Sequence, residues 1–104
     1  MPSIPLVLVH ICTYNNRAFE WDESKNRANI GKHGIDFADA VAVFEDSLAL
    51  SQPDPESRGE SRFVALGMDG FGRHVVVVFA EHSSRIRIIS ARLATSQERK
   101  SYEG

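Results

Sequence analysis

The stretch "HVVVVFA", residues 74–80, decides the fold, because four consecutive valines are typical of a strand that is covered on both faces. It is preceded by "RFVALGM", residues 62–68, and the turn-forming residues 69–72 separate the two segments. "RIRIISAR", residues 85–92, follows after a second turn. The three segments therefore predict consecutive antiparallel strands.

The third of these strands carries two arginines on one face. Successive side chains of a strand point to opposite faces, so Ile86 and Ile88 face one side while Arg85 and Arg87 face the other. Such a pair forms an anion-binding surface. Charge is also segregated along the chain: residues 36–60 hold seven acids and one base, a balance of −6, whereas the later stretch of residues 85–100 holds five bases and one acid, a balance of +4. The net charge of −2 thus conceals a basic end, which suits a protein that contacts phosphates with one face.

Residues 23–33 predict a helix with almost no apolar stripe. Asp22 is suited to the N-cap, and only Ala28 and Ile30 are apolar within the helix. Such a helix is either weakly packed or displayed for binding. One of its faces combines two ammonium groups, an amide and an imidazole, from Lys25, Asn29, Lys32 and His33. The alternative is an ordinary solvated surface.

His33 has two interpretations of its own. Together with Lys32 it complements the negative end of the helix dipole, and Gly34 can adopt the left-handed conformation that ends a helix. In the second interpretation the imidazole transfers a proton during catalysis, which this side chain can do near neutral pH. The basic and amide groups on the same helix face favour the second.

The remaining segments complete the predicted order of elements. Asp36 caps a second helix, whose core side chains are Phe37, Ala40, Val41 and Phe44. Residues 51–61 are rich in turn formers and predict an exposed loop. Thr95 and Glu98 form a capping box that opens a short helix through Tyr102. The prediction is an α+β fold: a strand around residues 17–20, two N-terminal helices, three or four antiparallel strands in a small sheet, and a short C-terminal helix.

The totals exclude several classes of protein. A chain of 104 residues has room for one domain, and 42% hydrophobic with 25% charged residues is ordinary globular composition. A single cysteine, Cys12, excludes an internal disulfide and a thiolate zinc cluster and favours a cytoplasmic setting. The apolar run of residues 4–12 is too short to cross a bilayer. We expect an extra edge strand or an N-terminal extension there, and no metal or other cofactor.

Several separated blocks occur in the order found in one bacterial family. They are "FEWDESKNRANIGKHGIDF", "VFED", "ESRFVALG", "VVVVFAE" and "RIRIISARLATSQERKSYE". In these blocks the sequence resembles the BrnT toxins of type II toxin-antitoxin systems, from about Phe19 to Glu103. Residues 1–16 have no recognised counterpart, so we assign them to an N-terminal extension and residues 17–104 to the toxin domain.

The resemblance implies a RelE-like fold and a metal-independent ribonuclease that cleaves RNA and inhibits translation. It also implies a BrnA-like antitoxin with a ribbon-helix-helix part, in a complex with two copies of each protein. Operator DNA would be bound only through the antitoxin, and no membrane is involved. An alternative from another class is a non-catalytic module that holds RNA or a protein with the same basic face.

Metal-free RNA cleavage needs a base for the 2′-hydroxyl proton, cations for the phosphorane and an acid for the leaving 5′-oxygen. The predicted catalytic residues are His33, Arg62, Arg87, Glu60 and Tyr102, and the predicted substrate-binding residues are Lys25, Asn29, Lys32, Arg85 and Arg92. Structural alternatives stay open for three of them. Arg87 can pair with an acid of residues 54–60, Tyr102 can pack on the sheet, and Glu60 can pair with Arg62. His10, His74 and His82 receive no role.

Overall fold

The structure is a computed structural model that describes residues 9–14, 16–57 and 61–104, apart from the side chains of His10 and Tyr14. These described residues form two strands, two α-helices and a 3₁₀-helix, four further strands and a last α-helix. They are β1 (Val9–Tyr14), β2 (Arg17–Asp22), α1 (Glu23–His33), α2 (Phe37–Ala40), a 3₁₀-helix (Val41–Glu45), β3 (Leu50–Pro53), β4 (Arg62–Met68), β5 (His74–His82), β6 (Arg85–Leu93) and α3 (Ser96–Glu103).

The strands form one six-stranded sheet in the order β1-β2-β6-β5-β4-β3. Strands β2 and β6 pair in parallel, and the other neighbours pair antiparallel. The prediction of a small antiparallel sheet with two N-terminal helices was therefore wrong. The sheet is mixed and larger, and two strands precede α1. Local patterns missed this because β2 and β6 are far apart in sequence and meet only after the intervening chain has crossed over.

Strand β1 falls within residues 1–16, where an extra edge strand was one of the two expectations; it lies at one edge of the sheet and pairs along its length with β2. Strand β3 falls within residues 51–61 except for Leu50, although that stretch predicted a loop. Although this stretch is rich in turn-forming residues, it forms a strand because it pairs with β4.

The apolar core lies on one face of the sheet, under α2 and the 3₁₀-helix. Phe19 and Trp21 of β2 and alternate residues of β5 and β6 meet this layer. The predicted core residues Phe37, Ala40 and Val41 are buried, and Phe44 is half-buried against the same cluster, so that prediction is confirmed. Because strand side chains alternate, every second residue of the same strands points to the opposite face.

Helix α1 has the predicted limits but an unexpected means of attachment. Asp22 caps its first turn, and Gly34 ends it with a left-handed φ of 71°. In place of an apolar stripe, α1 buries Asn26 and Asn29. The Asn29 amide donates to Ile35 O and Ala91 O and accepts from Ala91 N, at 2.9, 2.8 and 3.1 Å. The polar helix is thus held by side-chain amide hydrogen bonds, and those of Asn29 all go to backbone groups.

Candidate functional site

Four side chains form a row across the face of the sheet opposite the apolar core. Arg62 of β4 is the register partner of Ala80 of β5, Ala80 is the partner of Arg87 of β6, and Arg87 is the partner of Glu20 of β2. Register partners project on the same side, so the two arginines flank the small Ala80 at about 10 Å, two strand spacings, from each other.

A second pair lies one step further along the same strands. His82, the last residue of β5, is the register partner of Arg85, the first residue of β6. Because each lies two residues from a member of the row, both project on the same face. We call Arg62, Arg85 and Arg87, together with Glu20 and His82, the arginine face.

Glu20 is the buried member of the arginine face. Its side chain is 4% exposed, with His82 Nδ1 at 3.2 Å and Arg87 Nη2 at 3.6 Å. The two partners are far more accessible, at 65% for His82 and 46% for Arg87. A buried carboxylate is strongly destabilising unless it is paired, so this arrangement binds an exposed imidazole and an exposed guanidinium to one fixed anion.

Arg62 and Arg87 have different acidic partners. Arg62 Nε lies 3.9 Å from Asp54 Oδ2, whereas Arg87 pairs with Glu20 of β2. Asp54 is one of the acids of residues 54–60 that were considered as partners of Arg87, and it lies beside Arg62. Glu60, predicted to be catalytic, lies outside the described residues.

Arg92 and Tyr102 hold helix α3 to the rest of the fold. Arg92 donates to both Glu98 carboxylate oxygens, at 2.8 and 2.9 Å, and this pairing lowers the pKa of Glu98 to about 2. Tyr102 donates its hydroxyl to Asp46 Oδ2 at 2.7 Å, which raises the pKa of Tyr102, and its ring packs against His74. Both residues thus have structural partners, and the Tyr102 ring contacts the first residue of β5.

The predicted residues of α1 lie away from the arginine face. Lys25 and Lys32 are exposed, His33 is half-buried, and Asn29 is the buried anchor described above. The carbonyl of Gly34, next to His33, accepts from Arg73 Nη1 at 3.5 Å, which places this helix end near the start of β5. His82 ends β5, eight residues after His74, a strand length of about 27 Å. The structure therefore does not bring His33 together with the arginines.

Comparison with known proteins adds the family. The family model described as "Ribonuclease toxin, BrnT, of type II toxin-antitoxin system" matches residues 21–98. The chain belongs to the BrnT family. The 1.1 Å crystal structure of the Brucella abortus ribonuclease toxin, BrnT, is 36% identical and covers 73% of this chain and 94% of that one, with a TM-score of 0.59. No curated protein matches the chain.

Membership of the BrnT family confirms the resemblance seen in the sequence and makes this chain a ribonuclease toxin of a type II toxin-antitoxin system, with an antitoxin as partner. Across residues 9–14, 16–57 and 61–104, no three His, Cys, Asp or Glu side chains are grouped to hold a metal ion. In the same part of the chain, no helix has both the length and the apolar character to cross a bilayer.

Two members of the arginine face were missed in the sequence. Glu20 lies between Phe19 and Trp21, and this alternation alone shows that it faces away from a core that contains both aromatic residues. The pairing of Glu20 with His82 joins residues 62 positions apart, and no local pattern contains it.

Proposed function

We propose that this BrnT-family chain is an endoribonuclease that cleaves RNA without a metal ion, with the reacting phosphate bound on the arginine face. The observation that carries the proposal is the row in which Arg62 and Arg87 flank Ala80. A guanidinium presents a planar fork of donors that matches phosphate oxygens. Arg85, exposed at the start of β6, extends the same cationic surface toward a neighbouring phosphate.

The arginines supply the charge that this reaction needs. Attack of the 2′-hydroxyl on the adjacent phosphorus places additional negative charge on the non-bridging oxygens, and fixed donors stabilise that charge most strongly in the transition state. The products are a 2′,3′-cyclic phosphate and a 5′-hydroxyl. Cleavage of messenger RNA in the cytoplasm then inhibits translation. His33 as the proton-transfer group remains a prediction from the sequence.

The antitoxin partner would be a BrnA-like protein whose ribbon-helix-helix part binds operator DNA. Acidic residues of the partner would meet Arg85 and Arg87 and so occlude the arginine face. Affinity for this partner should then weaken with rising salt, and the weakening should be smaller for Arg87→Ala. An affinity that responds to neither change would place the antitoxin on another surface.

The decisive experiment incubates the purified chain with total bacterial RNA in excess EDTA, with and without the protein encoded next to it. We expect cleavage in EDTA, products with 2′,3′-cyclic phosphate and 5′-hydroxyl ends, and inhibition by the neighbouring protein. Activity that disappears in EDTA and returns with magnesium would contradict metal independence. RNA that is bound but never cut would favour the alternative, a binding module that uses the same face.

A further inference from the structure

The pairing of His82 with Glu20 has the form of a catalytic imidazole held by a carboxylate. Glu20 is buried with Oε1 at 3.2 Å from His82 Nδ1. When Glu20 is ionised and the imidazole is neutral, Nδ1–H donates to the carboxylate, because a carboxylate cannot donate a proton. The other ring nitrogen, Nε2, then has a free lone pair. With 65% of the His82 side chain exposed, that lone pair is open to a bound substrate.

The turn after His82 sets the backbone position from which the ring projects. Ser83 and Ser84 join β5 to β6 with φ angles of 48° and 68°, a left-handed pair in which glycine or asparagine is usual. Backbone held in this region is costly for other residues and concentrates at functional sites. The tight turn sets His82 opposite Arg85, at the end of the strand pair.

The charges around His82 come from three strands. Glu20 faces it from β2, Arg85 and Arg87 face it from β6, and Glu81 precedes it on β5 with its register partner on the opposite face. An open cleft of about 490 Å³ lies at this end of the sheet, and its lining includes His82, Arg85, Asn16 and the first residues of β2, Arg17 and Ala18. Its volume is within the range of small-ligand sites. A nucleotide with its sugar near His82 would have its reacting phosphate toward Arg87 and a neighbouring phosphate near Arg85.

We propose that His82 is the general base of the cleavage reaction, oriented by Glu20; this inference rests on the proposed ribonuclease function. Nε2 takes the proton of the 2′-hydroxyl while the 2′-oxygen forms a bond to phosphorus. The bond from phosphorus to the 5′-oxygen breaks, and a water molecule protonates the leaving oxygen. The imidazolium is stabilised by Glu20 and later returns its proton to solvent, as carboxylate-oriented histidines do in other catalytic sites.

The test compares His82→Gln with His74→Gln. The two histidines lie at opposite ends of β5 on the same face, and His74 packs against Tyr102, away from the proposed substrate. Single-turnover cleavage of total RNA should fall about 10² to 10⁴-fold for His82→Gln and stay at the wild-type rate for His74→Gln. Affinity for a pool of 2′-O-methyl oligonucleotides, which cannot be cut, should change less than about threefold, because a base acts on the reacting proton and not on binding.

Two further variants separate proton transfer from a structural effect. In His82→Gly, added imidazole should restore part of the cleavage rate, because a free base can occupy the vacated space. Glu20→Gln should slow cleavage in the wild-type background and add little in the His82→Gln background, since Glu20 acts through the imidazole. A purely structural Glu20 would reduce cleavage equally in both backgrounds and would contradict the positioning role.

The outcomes distinguish this inference from the proposal on which it rests. Wild-type protein that cuts no RNA would overturn both. Wild-type cleavage with an undiminished rate in folded His82→Gln would overturn only the role of His82. A loss of cleavage in His33→Gln together with full cleavage in His82→Gln would show that the proton-transfer group is His33, at the end of α1. Failure of imidazole to restore a folded His82→Gly variant would contradict proton transfer.

Discussion

The arginine face and helix α1 both carry polar groups that attracted attention in the sequence, yet their buried members have different partners. Asn29 of α1 exchanges all its hydrogen bonds with backbone, which cannot move without unfolding the region. Glu20 of the arginine face is paired with two side chains that are about half exposed or more. Backbone partners make a buried polar group structural, whereas mobile, exposed partners can be shared with a substrate.

Among substitutions of an arginine in the two regions, the largest expected effect comes from removing a cation of the arginine face. Arg87→Ala should slow RNA cleavage about 10² to 10³-fold, the usual cost of losing one donor to a developing negative charge. Arg27→Ala, which removes an exposed guanidinium from α1, should leave the rate unchanged. The measurement is the initial rate of total RNA cleavage for both variants, with a thermal melt to confirm folding.

Arg87 also pairs with buried Glu20, so Arg87→Ala could lower the rate by destabilising the fold. A further variant separates this effect from the loss of the donor. Arg87→Lys retains the positive charge beside the carboxylate but lacks the planar fork, so we expect a folded protein with an intermediate rate. Equal cleavage rates for wild type, Arg87→Ala and Arg27→Ala would show that the arginine face contributes no more to cleavage than α1 does.

The second expected effect is a loss of folding stability when Asn29 of α1 is replaced. Asn29→Ala leaves the N–H and carbonyl of Ala91 and the carbonyl of Ile35 without their side-chain partner. Since an unsatisfied buried polar group costs about 1 to 3 kcal/mol, we expect the free energy of unfolding to fall by about 3 kcal/mol. Arg27→Ala should change it by less than about 0.5 kcal/mol. Urea unfolding of both variants measures the difference, and similar values would mean that Asn29 does not anchor the helix.

The smallest expected effect is a loss of stability at low pH that depends on the ion pair between Arg92 and Glu98 of α3. The pKa of Glu98 is lowered from 4.5 to about 2 by Arg92, so the ionised form is favoured in the folded protein. The stabilisation is therefore complete above pH 4.5 and is lost as pH falls toward 2. Because both side chains are partly exposed, we expect about 1 kcal/mol. Glu98→Gln should lose less stability than wild type between about pH 5 and pH 3 in urea melts; parallel losses would show that the pair contributes nothing.

Local features of the sequence predicted local structure well. The limits of α1, its cap at Asp22, its end at Gly34 and the capping box of Thr95 with Glu98 depend on residues within a few positions of each other, and all are observed. The sheet order was not predictable, because it depends on the parallel pairing of Ala18–Glu20 with Arg85–Arg87.

For the candidate site, too, local features were predictable and contacts between distant segments were not. The alternation of "RIRI" predicted that Arg85 and Arg87 share a face, and the register confirms it. The grouping of His33 with these arginines was an inference across elements, and the actual neighbour of Arg87 is Glu20. Residue type and helical spacing show which side chains share a helix face, but they do not show which face of the sheet the helix approaches.

The amide of Asn29 also has a consequence for assembly. Strand β2 pairs with β6 only as far as Arg87, so the backbone at Ala91 would otherwise present an open strand edge. Exposed edges invite pairing with other chains and are a common origin of aggregation. By donating to Ala91 O and accepting from Ala91 N, the amide occupies the two groups that an incoming strand would use. It closes this position as another strand would, without offering a new edge to which further chains can add.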